Sequence, residues 1–136
     1  MEAKRITDDL SVASQLSAED VPLAAADGFK SILCNRPDGE AWGQPDFASI
    51  KEAAKEAGLK VLYQPVNTAT MNDDDIEAFE QAVNDLPKPV LAYCRTGTRG
   101  TVLWSLSQSG KRPAAEIIGM AADAGYDMRG LAGRLE

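Results

Sequence analysis

The residues with the clearest chemical potential run from Pro89 through Val90, Leu91, Ala92, Tyr93, Cys94, Arg95, Thr96, Gly97, Thr98 and Arg99 to Gly100. The apolar part reads as a short buried strand ending at Cys94, followed by a tight loop and a helix that begins near Arg99. Such a loop turns backbone N–H groups inward at the positive end of a helix, which makes an anion site. A thiol held there, with Arg95 and Arg99 nearby, is expected to ionise more easily and act as a nucleophile. A cysteine ending an apolar strand is otherwise often a small buried hydrophobe. Core packing has no use for two arginines, two threonines and a glycine in the five positions that follow. The reading is covalent catalysis at Cys94. Arg99 and Arg95 bind an anion, and the backbone through Thr96, Gly97, Thr98 and Gly100 stabilises its charge.

Other groups are weighed against that centre. The turn Asn35-Arg36-Pro37-Asp38-Gly39-Glu40 leaves the carboxyl end of a strand expected to neighbour the Cys94 strand. Arg36 can there help hold the anion, while Asp38 or Glu40 orients Arg36 or Arg99. Cys34 reads as core, its sharper alternative being a resolving thiol for Cys94. Asp73, Asp74 and Asp75 read as a dipole-complementing first helical turn, with a general-acid role as the alternative. The chain has no histidine, which excludes His-based metal sites and Cys-His or Ser-His-Asp machinery. No metal and no cofactor are expected.

These residues need a scaffold, and the chain supplies one in alternating pieces. Ile6 to Val12 reads as a short strand pair turning at Thr7-Asp8-Asp9. Phe29–Asn35, Leu59–Tyr63 and Val90–Tyr93 read as strands. Helices are expected from Ser17 to near Gly28, over Asp46–Ala57 closed by Gly58, and after an Asn72 cap up to Leu86. Others follow the Cys94 loop to Gly110, then cover Ala114–Ala124 and Tyr126–Leu131. Alternation of this kind predicts an α/β fold over residues 1–136 as one domain, with a central, mostly parallel sheet flanked by helices. Its functional loops then leave the carboxyl ends of the strands.

Composition bounds the partners. A 136-residue chain with 44% hydrophobic and 26% charged residues is ordinary for one globular domain. A net charge of −7 argues against nucleic acid or an anionic membrane as bulk partner. Two cysteines make no disulfide framework, so a reduced, cytoplasmic setting is expected. The first residues lack the apolar run of a signal peptide, and no stretch is long enough to span a bilayer.

From Arg5-Ile6-Thr7 through Asn35–Glu40 and Cys94–Arg99 to Ala124-Gly125-Tyr126-Asp127, the chain resembles the DUF442 family. That family is the phosphatase-like domain found alone or fused to metallo-β-lactamase-like hydrolases. The resemblance implies a fold like that of dual-specificity and protein tyrosine phosphatases, and a functional link to such a hydrolase. Phosphatases of that kind place five residues between cysteine and arginine. Here Arg99 follows after four, and Gly100 stands at the arginine position. Their histidine before the cysteine is replaced by Tyr93, and Asn67 and Thr68 stand where their general acid follows a strand. Cys94–Arg99 also resembles the six-residue active loop of single-domain rhodaneses. On loop length the sequence favours a sulfurtransferase carrying a Cys94 persulfide, fed by a persulfide or thiosulfate. Phosphoester hydrolysis through a Cys94 phosphocysteine is the alternative, and a non-enzymatic anion or persulfide sensor the third reading.

Overall fold

The computed structural model describes residues 1–135. The apolar runs become strands β1 (Lys4–Arg5), β2 (Leu10–Ala13), β3 (Ser31–Cys34), β4 (Lys60–Tyr63) and β5 (Val90–Tyr93). Helices α1 (Asp20–Ala26), α2 (Phe47–Ala57), α3 (Asp73–Asp85), α4 (Thr98–Ser107) and α5 (Ala114–Asp123) occupy the intervals and the tail. The sheet order is β1-β2-β5-β3-β4, with β1 antiparallel to β2 and every other pairing parallel. This is the α/β architecture expected of the sequence, with Thr7-Asp8-Asp9 lying in the turn between β1 and β2. No helix among the described residues is long and apolar enough to cross a membrane.

Every residue of β2, β3 and β5 is buried, as a sheet covered on both faces requires. On one face Leu10, Val12, Leu33, Val90 and Ala92 pack beneath Phe79 of α3, Leu103 and Trp104 of α4, and Ile117 of α5. On the other, Ile32, Leu91 and Tyr93 pack beneath Val21 and Ala24 of α1 and Ile50 and Ala54 of α2. The carboxyl ends of β3, β4 and β5 lie side by side, so their loops gather at one edge.

Local signals set most helix ends. Asp46 accepts a hydrogen bond from the Ser49 amide at the start of α2, and Gly58, with φ +76°, ends it in the left-handed region. Asn72 and Asp75 form a reciprocal capping box on α3. Two expectations are corrected. Ser17 does not cap α1; its amide and hydroxyl donate to the Asp20 carboxylate, and the helix starts later. Tyr126–Leu131 is not a helix. Gly125 turns left-handed at φ +100° after α5, and a short 3-10 segment forms only over Arg129–Arg134.

The packing makes a direct prediction. Phe79→Ala should cost about 3–5 kcal/mol, because a fully enclosed ring leaves a cavity. Leu23→Ala, at a position 54% exposed, should stay within about 0.5 kcal/mol. Urea unfolding followed by circular dichroism measures both; equal losses would contradict the assigned core.

Candidate active site

Cys94 continues β5 on the Ala92 side of the sheet, where α4 begins. It is 1% exposed and is one of the residues lining a cavity of about 410 Å³. Arg95, Thr96, Thr98 and Arg99 line that cavity together with Thr68, Met71 and Val102. The amide of Gly97 donates to Cys94 Sγ at 3.1 Å. Gly97 can aim it there because it adopts φ +87°, a conformation open to glycine.

The back of the loop explains its front. The Gln15 amide donates to the Arg95 carbonyl at 3.3 Å, and the Tyr126 hydroxyl donates to the Thr96 carbonyl at 2.9 Å. The Thr101 hydroxyl and amide hold the Gly97 carbonyl at 2.9 and 3.2 Å. In a trans peptide, C=O and N–H point oppositely, so three outward-tied carbonyls turn the amides of Thr96, Gly97 and Thr98 the other way. The Gly97 amide on the sulfur is the visible member of that set. The first amides of α4 add unsatisfied donors at the same place.

Arg99 is largely buried. Its guanidinium donates to the Val66 carbonyl at 3.3 Å and to Glu40 Oε1 at 2.7 Å. The same Glu40 oxygen accepts from Arg36 Nε at 2.9 Å. Of the two carboxylates proposed to orient these arginines, Glu40 does so. The bond from Arg99, then that from Arg36, holds the Glu40 carboxyl below the usual carboxylate range.

The remaining site expectations separate. Arg36 is 5% exposed and committed to Glu40 and to Gln15 Oε1, at 2.9 Å each; it does not line the cavity. Asp38 accepts from the Phe47 amide at 2.8 Å, at the start of α2, and is also no part of the lining. Gly100 faces the sheet: a Cβ there would lie 3.2 Å from Val12 Cγ1 and 3.6 Å from Ala92 Cβ. Only its backbone is available to an anion. Cys34 points to the α1–α2 face, with its sulfur donating to the Arg36 carbonyl at 3.3 Å and burial pushing its thiol up. The sheet lies between it and Cys94. Asp75 is taken up by the α3 capping box, and neither Asp73 nor Asp74 reaches the cavity. Trp42 is fully exposed and does not line the cavity. Among the described residues no group of three or more His, Cys, Asp or Glu side chains could hold a metal.

Sequence reasoning missed Gln15, Thr101 and Tyr126. Their partners lie far along the chain, and only the Gly125 stop before Tyr126 offered a signal. Burial raises the Tyr126 phenol above its ordinary value, and its Coulombic interaction with Cys94 adds to that.

Residues 2–111 match the model of the family described as the phosphatase-like domain of beta-lactamase hydrolase-like proteins. The chain belongs to this family. A beta-lactamase hydrolase-like protein of Agrobacterium fabrum is 38% identical over 130 residues, covering 94% of this chain. The chain spans only 30% of that relative's length. The crystal structure of a candidate phosphatase from Neisseria meningitidis is 39% identical with TM-score 0.88, covering 97% of this chain and 94% of that one. The catalytic core of a PP-IP phosphatase from S. cerevisiae is 18% identical with TM-score 0.67, over 96% of this chain and 80% of that one, a likeness of fold alone. The phosphatase-like fold expected from the sequence is thus the observed one.

Two predictions follow from this geometry. Gly97→Ala should cost more stability than Gly110→Ala. Both glycines have positive φ, worth about 1–3 kcal/mol of strain. Only at Gly97 would a Cβ collide with the Tyr126 hydroxyl, and Gly110 has open space. Equal unfolding midpoints would refute the close approach. Glu40 binds its proton less tightly folded than unfolded, so its contribution is present above the usual glutamate range and is lost as pH falls through the folded value. Glu40→Gln should therefore cost up to about 1 kcal/mol near neutral pH, with the difference from wild type closing in acid, as urea unfolding across pH would record.

Proposed function

We propose that the phosphatase-like domain is a cysteine-dependent phosphohydrolase acting on small phosphorylated anions. The observation that carries this reading is the Gly97 amide 3.1 Å from Cys94 Sγ, in a loop whose carbonyls are tied outward. That cradle matches a group that is anionic before, during and after reaction. The thiolate attacks phosphorus, the S–P bond forms, and the P–O bond to the leaving group breaks with its electron pair. Water then attacks phosphorus, the S–P bond breaks, and the thiolate returns while both water protons leave on inorganic phosphate. Inward amides stabilise the equatorial oxygens throughout, and Arg99, fixed by Glu40 and the Val66 carbonyl, presents its guanidinium to them.

The sulfurtransferase preference drawn from loop length has less support, since the family and its structural neighbours are phosphatase-like. One observation keeps it as the second reading: no carboxylate lines the cavity among the described residues, and sulfane transfer to a thiolate requires none.

Intact-mass analysis separates the two. Brief incubation with p-nitrophenyl phosphate and an acid quench should leave one phosphoryl group on wild type and none on Cys94→Ser. Arg99→Ala should lower kcat/KM about 10²–10³-fold. A sulfur adduct from thiosulfate, with neither phosphoryl adduct nor phosphate release, would move the assignment to sulfur transfer.

A further inference from the structure

Resting on the phosphohydrolase reading, we propose that the substrate is a phosphoric or mixed anhydride, whose leaving group departs as a weakly basic anion held by Arg95. Among the described residues the cavity holds no group suited to supply a proton to a leaving group. Expelling an alkoxide or phenoxide needs a general acid in reach, a contribution of about 10²–10⁴-fold. Among the described residues no carboxyl group lines the cavity. Glu40, beside it, has Oε1 engaged by both Arg99 and Arg36, which keeps it a carboxylate. Asp38 is bound to the Phe47 amide, and Asp75 to the Asn72 amide. The Tyr126 hydroxyl already donates to the Thr96 carbonyl. The groups left are threonine hydroxyls, which are too weakly acidic for the task.

A leaving group that is a stable anion in water needs no such proton. Phosphate and carboxylate, the leaving groups of anhydrides, are of this kind. The second observation concerns what receives that anion. Arg99 is tied inward by Glu40 and the Val66 carbonyl, whereas Arg95 lines the same cavity, is exposed, and pairs with no carboxylate among the described residues. One guanidinium is thus fixed for the transferred phosphoryl group and another is free at the rim for a second anion. In the step itself, Cys94 Sγ attacks the terminal phosphorus and the bridging P–O bond breaks. Its electron pair stays on the departing phosphate or carboxylate, which leaves without protonation. Water then releases inorganic phosphate from the phosphocysteine as above.

The test compares Cys94-dependent kcat/KM for acetyl phosphate, inorganic pyrophosphate, p-nitrophenyl phosphate and phenyl phosphate, with Cys94→Ser as background. Phenol, with a pKa of about 10, is the poorest leaving group of the four. Phenyl phosphate should fall about 10²–10⁴-fold below acetyl phosphate, the factor a missing acid withholds. Arg95→Ala should reduce pyrophosphate hydrolysis by roughly tenfold more than p-nitrophenyl phosphate hydrolysis, the scale of one charge-assisted contact. Phenyl phosphate turned over within about tenfold of acetyl phosphate would mean that a proton donor operates. That result overturns the anhydride proposal while leaving the phosphohydrolase standing. Equal losses on both substrates in Arg95→Ala would overturn the role of Arg95. No Cys94-dependent turnover of any of the four would overturn the phosphohydrolase reading together with the proposal.

Discussion

The site depends on one hydrogen bond, from the Gly97 amide to the Cys94 sulfur. It exists because the chain turns left-handed at a glycine and because three carbonyls around it are pulled away from the cavity. The groups that pull them come from separate parts of the chain: Gln15 after β2, Thr101 inside α4, and Tyr126 beyond α5. A loop of free peptide units would distribute its dipoles in all directions. Tied from behind, these units turn their N–H ends away from those partners, and the Gly97 amide reaches the sulfur, so the local field there depends on distant parts of the fold. Pre-oriented dipoles of this kind need little reorganisation when charge develops in front of them.

Charge is handled with similar economy in a chain whose net charge is −7. Local positive potential comes from amides and two cavity-lining guanidinium groups. Arg99 is held by Glu40, which Arg36 holds in turn from behind. Burying Arg36 is tolerable because both its carboxylate and its amide partner are fixed. The same packing accounts for the short spacing between Cys94 and its arginine. Position 100 lies against Val12 and Ala92, where a glycine lets α4 settle on the sheet. Arg99, one residue earlier, is the position that turns outward to the cavity.

Much of this was legible in the sequence, and the failures share a cause. Strand runs, the Asp46 and Asn72 caps and the Gly58 stop are local signals, and they read correctly because propensity and capping act within one turn of chain. The Cys94 loop was legible for the same reason, its strand, glycine and helix start being contiguous. Arg36 was expected to help hold the anion and Asp38 to orient an arginine, whereas Arg36 pairs with Glu40 and Gln15 and Asp38 accepts from the Phe47 amide. An arginine beside carboxylates looks alike in sequence whether it faces a cavity or braces a loop. Tyr126 was absorbed into an expected helix, since its partner is thirty residues away. Loop length favoured sulfur chemistry, but the family and the fold stand with phosphatases.

What the sequence determined by itself was therefore the alternating α/β plan, the cysteine at the end of a buried strand and the glycine-containing loop that follows it. Each is written in neighbouring residues, whose spacing decides backbone conformation. Only the tertiary structure decided which carboxylate serves the arginines, which thiol faces the cavity, and that no acid among the described residues lines it. Those outcomes depend on which residues from distant segments meet at the carboxyl edge of the sheet, and side-chain partners across such distances are set by packing, not by sequence spacing.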